Sequence, residues 1–409
     1  MRASRYSRGS AILAFALSSG ASAGELRLNG WAGAEARIFT QTAADPQQHG
    51  TQGSLSLQPE WSWVSDDGSD TVVVTPFLRL DQADHRRTHG DVREFLWIHA
   101  EQDWELRAGI GKVFWGVAES NHLVDIINQT DLVENPDTED KLGQPMVNLA
   151  LIREWGTLDL FVLPGFRART FPGISGRLRT LPRVDTSSAT YESAAEEKHV
   201  DFAVRYSHTV GELELGLHHF HGTSREPEFR AKRNGPAESA TAPWVLAPHY
   251  AIIDQTGLDA LYVWGNLSLK LEAFHRAGQQ EDFAAAVAGF EYTWVGPLME
   301  RFGLPWDLGL LGEYHTDERG ENMPGPFNDD LFIGARVSAN DAADTKVLAG
   351  LVRDLGGDGN FLNVEASRRF GERWVLESEL RVFWGTGETD PLRFVERDDY
   401  LQLSLNRYF

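Results

Sequence analysis

From residue 25 onward, apolar and polar side chains alternate. Leu26, Leu28, Ala32, Ala34, Ala36 and Ile38 share one parity, and Glu25, Arg27, Asn29, Glu35 and Arg37 the other. A period of two is the mark of a β-strand with one apolar and one charged face. The pattern recurs. Leu55, Leu57, Trp61 and Trp63 form a second apolar row, and Val72, Val74, Leu78 and Leu80 a third, opposite Arg79 and Asp81. Pro76 lies inside the third segment and points to an edge or a bulge. Val92, Leu96 and Ile98 follow against Arg93 and His99, then Trp104, Leu106, Ala108 and Ile110 against Glu105 and Arg107. Further on, Val200, Phe202, Val204 and Tyr206 oppose Asp201, Arg205 and Ser207, and Lys270 and Glu272 oppose leucines of their segment. Near the end, Leu376, Leu380 and Val382 oppose Glu377, Glu379 and Arg381. In all, about 18 strands are expected, 16 being the alternative count.

The connections sort by parity. One set is mostly short: 65–70, 101–103, Trp155-Gly156, 209–211, Trp264-Gly265, 340–344 and 370–372. The other contains the long loops: 112–145, 164–198 and 222–253. An antiparallel up-and-down transmembrane barrel has tight periplasmic turns and long outer loops, whereas a soluble sandwich has no reason to sort them. Tryptophan gives an independent sign. Trp61, Trp63, Trp97, Trp104, Trp155, Trp264, Trp294, Trp306 and Trp374 fall at or near short-turn ends, with Trp115 and Trp384 near the opposite ends. Amphipathic rings gather in this way where headgroups meet the hydrocarbon. The last segment, DYLQLSLNRYF, alternates and ends on Phe409, which resembles the recognition strand of bacterial outer-membrane proteins. It implies the barrel-assembly machinery as a partner, with both termini periplasmic. Arg407 stands where that pattern has an apolar residue, and is expected to snorkel to the interface.

Composition narrows the class. The 409 residues contain no cysteine and carry a formal charge of −22, which disfavours nucleic acid as a partner. Arg2, Arg5 and Arg8, the apolar run 11–17 and Ala21-Ser22-Ala23 read as a secretory signal, residues 1–23, leaving one domain, 24–409. Past residue 17 no stretch reaches the length of a membrane helix. An exported chain with alternating strands fits the outer membrane of a Gram-negative bacterium, with lipid and lipopolysaccharide around it and self-association into a homo-oligomer left open. In such a membrane a slip of one residue would turn charges toward lipid. At about 2–4 kcal/mol per midplane charge, two or three cost on the order of 5–10 kcal/mol, so the faces are firmly set.

A barrel of this size has a lumen too wide for strand side chains to fill. The inward rows include Arg79, Arg107, Arg205, Glu272, Glu379 and Arg381. Selectivity then falls to loops folded inward. The first insert is acidic (Asp125, Asp131, Glu134, Asp137, Glu139, Asp140), with an apolar stretch Leu123, Val124, Ile126 and Ile127 that reads as one or two helical turns capped by Asn121. The second loop is basic, with Arg167, Arg169, Arg177, Arg179 and Arg183. An acidic segment facing a basic one makes a transverse field across a pore. The expected constriction residues are Lys112, Glu119, Asp125, Asp131, Glu134, Arg167, Arg169 and Arg177. The bland alternative is that both loops are solvated.

Gly111-Lys112, Trp115-Gly116, Glu119-Ser120, Asp125-Ile126-Ile127-Asn128 and Asp131 together resemble the signature of a poorly characterised porin-like β-barrel family of proteobacterial outer membranes. Val113 stands where that family has glutamine, Val117 follows Trp-Gly, and Gln129-Thr130 interrupts its Asn-Pro-Asp step. The resemblance implies a barrel whose cargo is unknown, with hydrophobic or organic-acid substrates both suitable.

Other constellations are weaker. His219 and His221 share a strand face from which His218 points away, with no carboxylate in that run, so a metal is not expected there. Asp84-His85 lacks the further acids of a barrel protease, and 354–360 reads as a turn. With no nucleotide-binding loop, catalytic set or long N-terminal plug, the expectation is no enzyme and no cofactor. The reading is a porin-like channel for passive diffusion of small polar or charged solutes, with 112–145 as constriction. The alternative is a gated or exporting barrel that passes a hydrophobic or organic-acid cargo with a periplasmic partner.

Overall fold

Twenty-one strands form in a computed structural model that describes residues 24–235, 242–296, 303, 306–320, 323, 325–387 and 390–409. They are β1 (Glu25–Phe39), β2 (Thr51–Val64), β3 (Asp70–Asp81), β4 (His89–Ala100), β5 (Trp104–Gly111), β6 (Gln144–Arg153), β7 (Gly156–Pro164), β8 (Thr190–Tyr191), β9 (Val200–Val210), β10 (Leu213–Thr223), β11 (Glu228–Arg233), β12 (Trp244–Tyr250), β13 (Ile252–Trp264), β14 (Leu267–Ala277), β15 (Phe283–Trp294), β16 (Asp307–Asp317), β17 (Asp329–Ser338), β18 (Lys346–Asp354), β19 (Asn360–Phe370), β20 (Trp374–Trp384) and β21 (Tyr400–Tyr408). All but β8, β11 and β12 join one 18-stranded sheet of antiparallel neighbours. β1 pairs with both β2 and β21, so the sheet closes on itself and leaves no edge. The secretory signal expected at 1–23 lies outside the described residues.

The alternation read from the sequence is the lipid–lumen alternation of the wall. Leu269 and Leu271 are exposed on the outside of β14, while Glu272 between their neighbours is fully buried inside. Leu401, Leu403 and Leu405 face out on β21, and Gln402, Ser404 and Asn406 face in. The Phe409 N–H closes the seam by donating to the Gly30 carbonyl at 3.0 Å. Arg407 stays on the outer face with its guanidinium 5.9 Å from the Trp374 ring centre, a cation–π contact at the interface. Exposed Trp61, Trp97, Trp155, Trp264 and Trp374 form the girdle at the short-turn end.

Several local expectations change. β4 switches faces: its register with β3 shifts between Thr75 and Pro76, and Arg93 is the unpaired extra residue. The bulge puts Val92, Phe95 and Trp97 outside and turns Leu96 in, buried at 8% exposure. Pro76, which cannot donate to a ladder, sits at that bulge. Trp115 is not a girdle residue but lies inside the barrel, 4% exposed. The stretch 121–127 forms no helix; it is an irregular run with a turn at 123–124. The connection between β15 and β16, residues 295–306, is long although it lies on the short-turn side. Two outer loops are also less loose than expected, because β11, β12 and β8 make a small sheet linking 164–198 to 222–253.

Candidate functional site

The insert between β5 and β6 runs inside the barrel, and three kinds of contact hold it there. The first is apolar. Val124, Ile126 and Ile127 are at most 3% exposed and join Trp115 in a cluster with Met146, Phe161, Leu163, Phe220 and Ile253 from the inner faces of β6, β7, β10 and β13. Burying each such side chain contributes about 1.5–3 kcal/mol, which a hydrated loop would forgo. Trp115 lies 5.8 Å from Phe161 and 5.1 Å from His218, and the Arg205 guanidinium stands 5.2 Å from its ring centre.

The second contact is a carboxylate cradle. The N–H groups of Val117 and Ala118 donate to Glu272 Oε1 at 2.6 and 2.7 Å, and that of Val124 to Oε2 at 3.1 Å. Those of Glu119 and Ser120 donate to Glu313 at 2.6 and 2.9 Å. Wall carboxylates thus satisfy five backbone donors of the insert in charge-assisted bonds, stronger than neutral ones. Gly116 is needed for this approach: its φ is +134°, and a Cβ would stand 2.8 Å from Glu272 Oε1. Asn128 ties the two ends of the insert together. It accepts from the Val113 N–H at 2.8 Å and donates to the Gly111 and Leu142 carbonyls, both at 2.9 Å.

The third contact is ionic. Glu134 meets Arg79 at 2.7 Å, and its carbonyl accepts from Arg37 at 2.8 Å. Asp131 meets Arg93 at 2.7 Å, and Asp125 meets Lys141 at 3.1 Å. At the far end Asp137 lies 3.3 Å from Arg381, which also pairs with Glu379 at 2.7 Å. Of the expected lumen-facing residues, Arg79, Glu272, Glu379 and Arg381 therefore anchor the insert. Arg205 pairs with Asp259 at 2.6 Å and Arg107 with Glu105 at 2.5 Å along the wall.

The basic loop does not face the insert as a block. Arg167 pairs with Asp91 at 2.7 Å, and Arg177 is buried in an ion pair with Asp398 at 2.5 Å. Only Arg169 of the three reaches the cavity, donating to Gln129 Oε1 at 3.1 Å. Among the described residues no carboxylate comes within ion-pair distance of it, and burial pulls its guanidinium below the usual range. Lys112 stays exposed at the root of the insert, while Glu119 reaches Arg336 at 2.5 Å and Lys270 at 3.8 Å.

Between the insert and the wall of β14 and β16–β20 lies a cavity of about 950 Å³. Acidic and basic side chains line it in equal number, seven of each. Asp137 is pushed up to about 6 by burial and by Glu379, against the pull of Arg381. Burial also raises Asp125. Among these charges β17–β20 also turn Phe332, Val352, Phe361 and Phe383 inward. Sequence reasoning missed these phenylalanines, Glu313 and Arg225, although each falls on the inward parity or in a long loop. The usable sign was a large apolar residue on the charged parity.

The fold and lumen define an outer-membrane β-barrel of 18 strands. No family model matches the chain, and no curated protein does. Its fold is similar to that of OpdQ from Pseudomonas aeruginosa (12% identity, 94% of this chain and 97% of that chain covered, TM-score 0.52). It is also similar to OccK3 (OpdO) of the same organism (10% identity, 93% and 95% covered, TM-score 0.51). A third likeness is to Escherichia coli Wzi, a carbohydrate-binding barrel involved in group 1 capsule assembly (9% identity, 92% and 83% covered, TM-score 0.51).

Proposed function

We propose that the protein is a porin-like channel through which small polar or charged solutes diffuse passively, with the insert 112–145 as its constriction. The carrying observation is the cradle of Glu272 and Glu313, which fixes the insert across the lumen beside a cavity of about 950 Å³ lined by charges of both signs. Opposed charges in a low-dielectric passage orient a dipolar or charged solute and set its rate of entry. The roles of Glu119, Asp125, Asp137 and Arg169 at the passage belong to this proposal, as does kinship with the porin-like family that the insert resembles. Reconstitution in planar bilayers tests it. Open steps that grow when 118–140 are removed support the reading, and absence of conductance both with and without the insert refutes it.

The inward phenylalanines favour a second reading, a gated or exporting barrel for a cargo with an apolar body, such as an organic acid. On that reading the intact barrel conducts poorly alone, and an amphipathic anion binds within it.

A further inference from the structure

The point where the insert meets the start of β4 brings a histidine and two carboxylates together. His89 Nε2 lies 3.4 Å from Glu134 Oε1 and 4.0 Å from Asp131 Oδ2. The three donor atoms all fall within 4.8 Å of one another. The Asp131 and Glu134 side chains are 0% and 4% exposed. All three atoms are buried; His89 Nε2 and Glu134 Oε1 make no hydrogen bond, and Asp131 Oδ2 faces Arg93 in an ion pair at 2.7 Å. The other oxygen of each carboxylate is held from behind: Asp131 Oδ1 accepts from Thr170 Oγ1 at 2.5 Å, and Glu134 Oε2 from Arg79 Nε at 2.7 Å. Outer contacts of this kind aim the second oxygen of each carboxylate at a ligand.

We propose that His89, Asp131 and Glu134 bind one divalent transition-metal ion of the Zn²⁺ type, which pins the insert to the barrel wall. Donors about 2.0–2.2 Å from a common ion sit about 3–4 Å apart, and the two distances from His89 Nε2, 3.4 and 4.0 Å, fall in that range. An imidazole in the set selects against Ca²⁺ and Mg²⁺, which prefer all-oxygen shells. Three protein ligands leave a position for water. Arg93, 2.7 Å from Asp131 Oδ2, is the group the ion displaces. It keeps Asp91 at 3.2 Å as a partner. Arg79 and Arg87 are also served by Glu35, at 3.1 and 2.8 Å. The site does not depend on whether the barrel conducts.

The test is calorimetric titration of the full folded barrel, free of any histidine tag, with Zn²⁺, and visible absorption with Co²⁺. One ion per chain is expected, with a Co²⁺ spectrum of low coordination number. Binding weakens by at least about tenfold in His89→Ala and in His89→Gln, and by about tenfold in Thr170→Ala. The double change His219→Ala, His221→Ala, which removes the outward pair beside Asp254, leaves it intact. Folding of each variant is read from its heat-modifiable migration on gels. A folded barrel that binds no ion, or binds it equally after both His89 changes, overturns the proposal and leaves His89 as a packing contact between the two acids.

Discussion

Replacing Glu272 by glutamine isolates the hold of the wall on the insert. The carboxylate is fully buried and accepts three backbone N–H bonds, from Val117, Ala118 and Val124. Hydrogen bonds to a charged acceptor contribute about 1.5–3 kcal/mol each, and neutral ones about 0.5–1.5 kcal/mol. Glutamine keeps one acceptor for Val117 and Ala118 at the neutral strength. Its amide group, however, turns a donor toward the Val124 N–H, leaving two buried donors face to face. Burying an amide instead of a carboxylate offsets part of the loss. The net weakening is on the order of 2–4 kcal/mol, about 30- to 1000-fold in the opening equilibrium of this segment. Amide hydrogen exchange at Val117, Ala118 and Val124 reads that change directly, because local opening exposes those groups without unfolding the barrel. Bilayer recordings of Glu272→Gln should show larger or noisier open steps. Exchange at these amides within threefold of wild type, with unchanged recordings, refutes the cradle as the element that fixes the insert.

Other outcomes follow from the same geometry. Asp137 is neutral below about pH 6 and charged above it, so the cavity loses a negative charge as pH falls from 8 to 5. Reversal potentials in a salt gradient should move toward anion selectivity over that range, and Asp137→Asn should flatten the response. Asn128→Ala removes three hydrogen bonds at the root of the insert, at a cost of about 1–3 kcal/mol for each buried partner left unpaired, visible as faster proteolysis between 112 and 143. Leu271→Arg places a charge on the lipid face near the middle of β14 and should cost about 2–4 kcal/mol in unfolding titrations.

The barrel was legible because a strand crossing a membrane is read twice, by lipid on one face and water on the other. Each misplaced charge is costly, so the alternation of Leu269 and Leu271 with Lys270 and Glu272 specifies the faces without any knowledge of neighbours. Loop parity and tryptophan position follow from the same two-sided solvent. Pro76 marked the bulge, but not that the bulge would exchange Leu96 with Phe95 and Trp97, because a register shift appears only once the partner strand is present.

The site was legible only in part. The sequence alone made the insert acidic and gave it an apolar run that needed burial. Tertiary structure decided what that run would become. Glu272 and Glu313, contributed from about 150 and 190 residues further along the chain, hold the backbone of 117–124 by charge-assisted bonds, and the apolar run packs on β6, β7, β10 and β13. The same holds for the arginines. Arg167, Arg169 and Arg177 form one basic cluster in the sequence, yet Asp91, Gln129 and Asp398 draw them to three places. Which charges neutralise each other, and which remain facing the cavity, depends on strands brought side by side by barrel closure, and alternation along one strand carries no information about that.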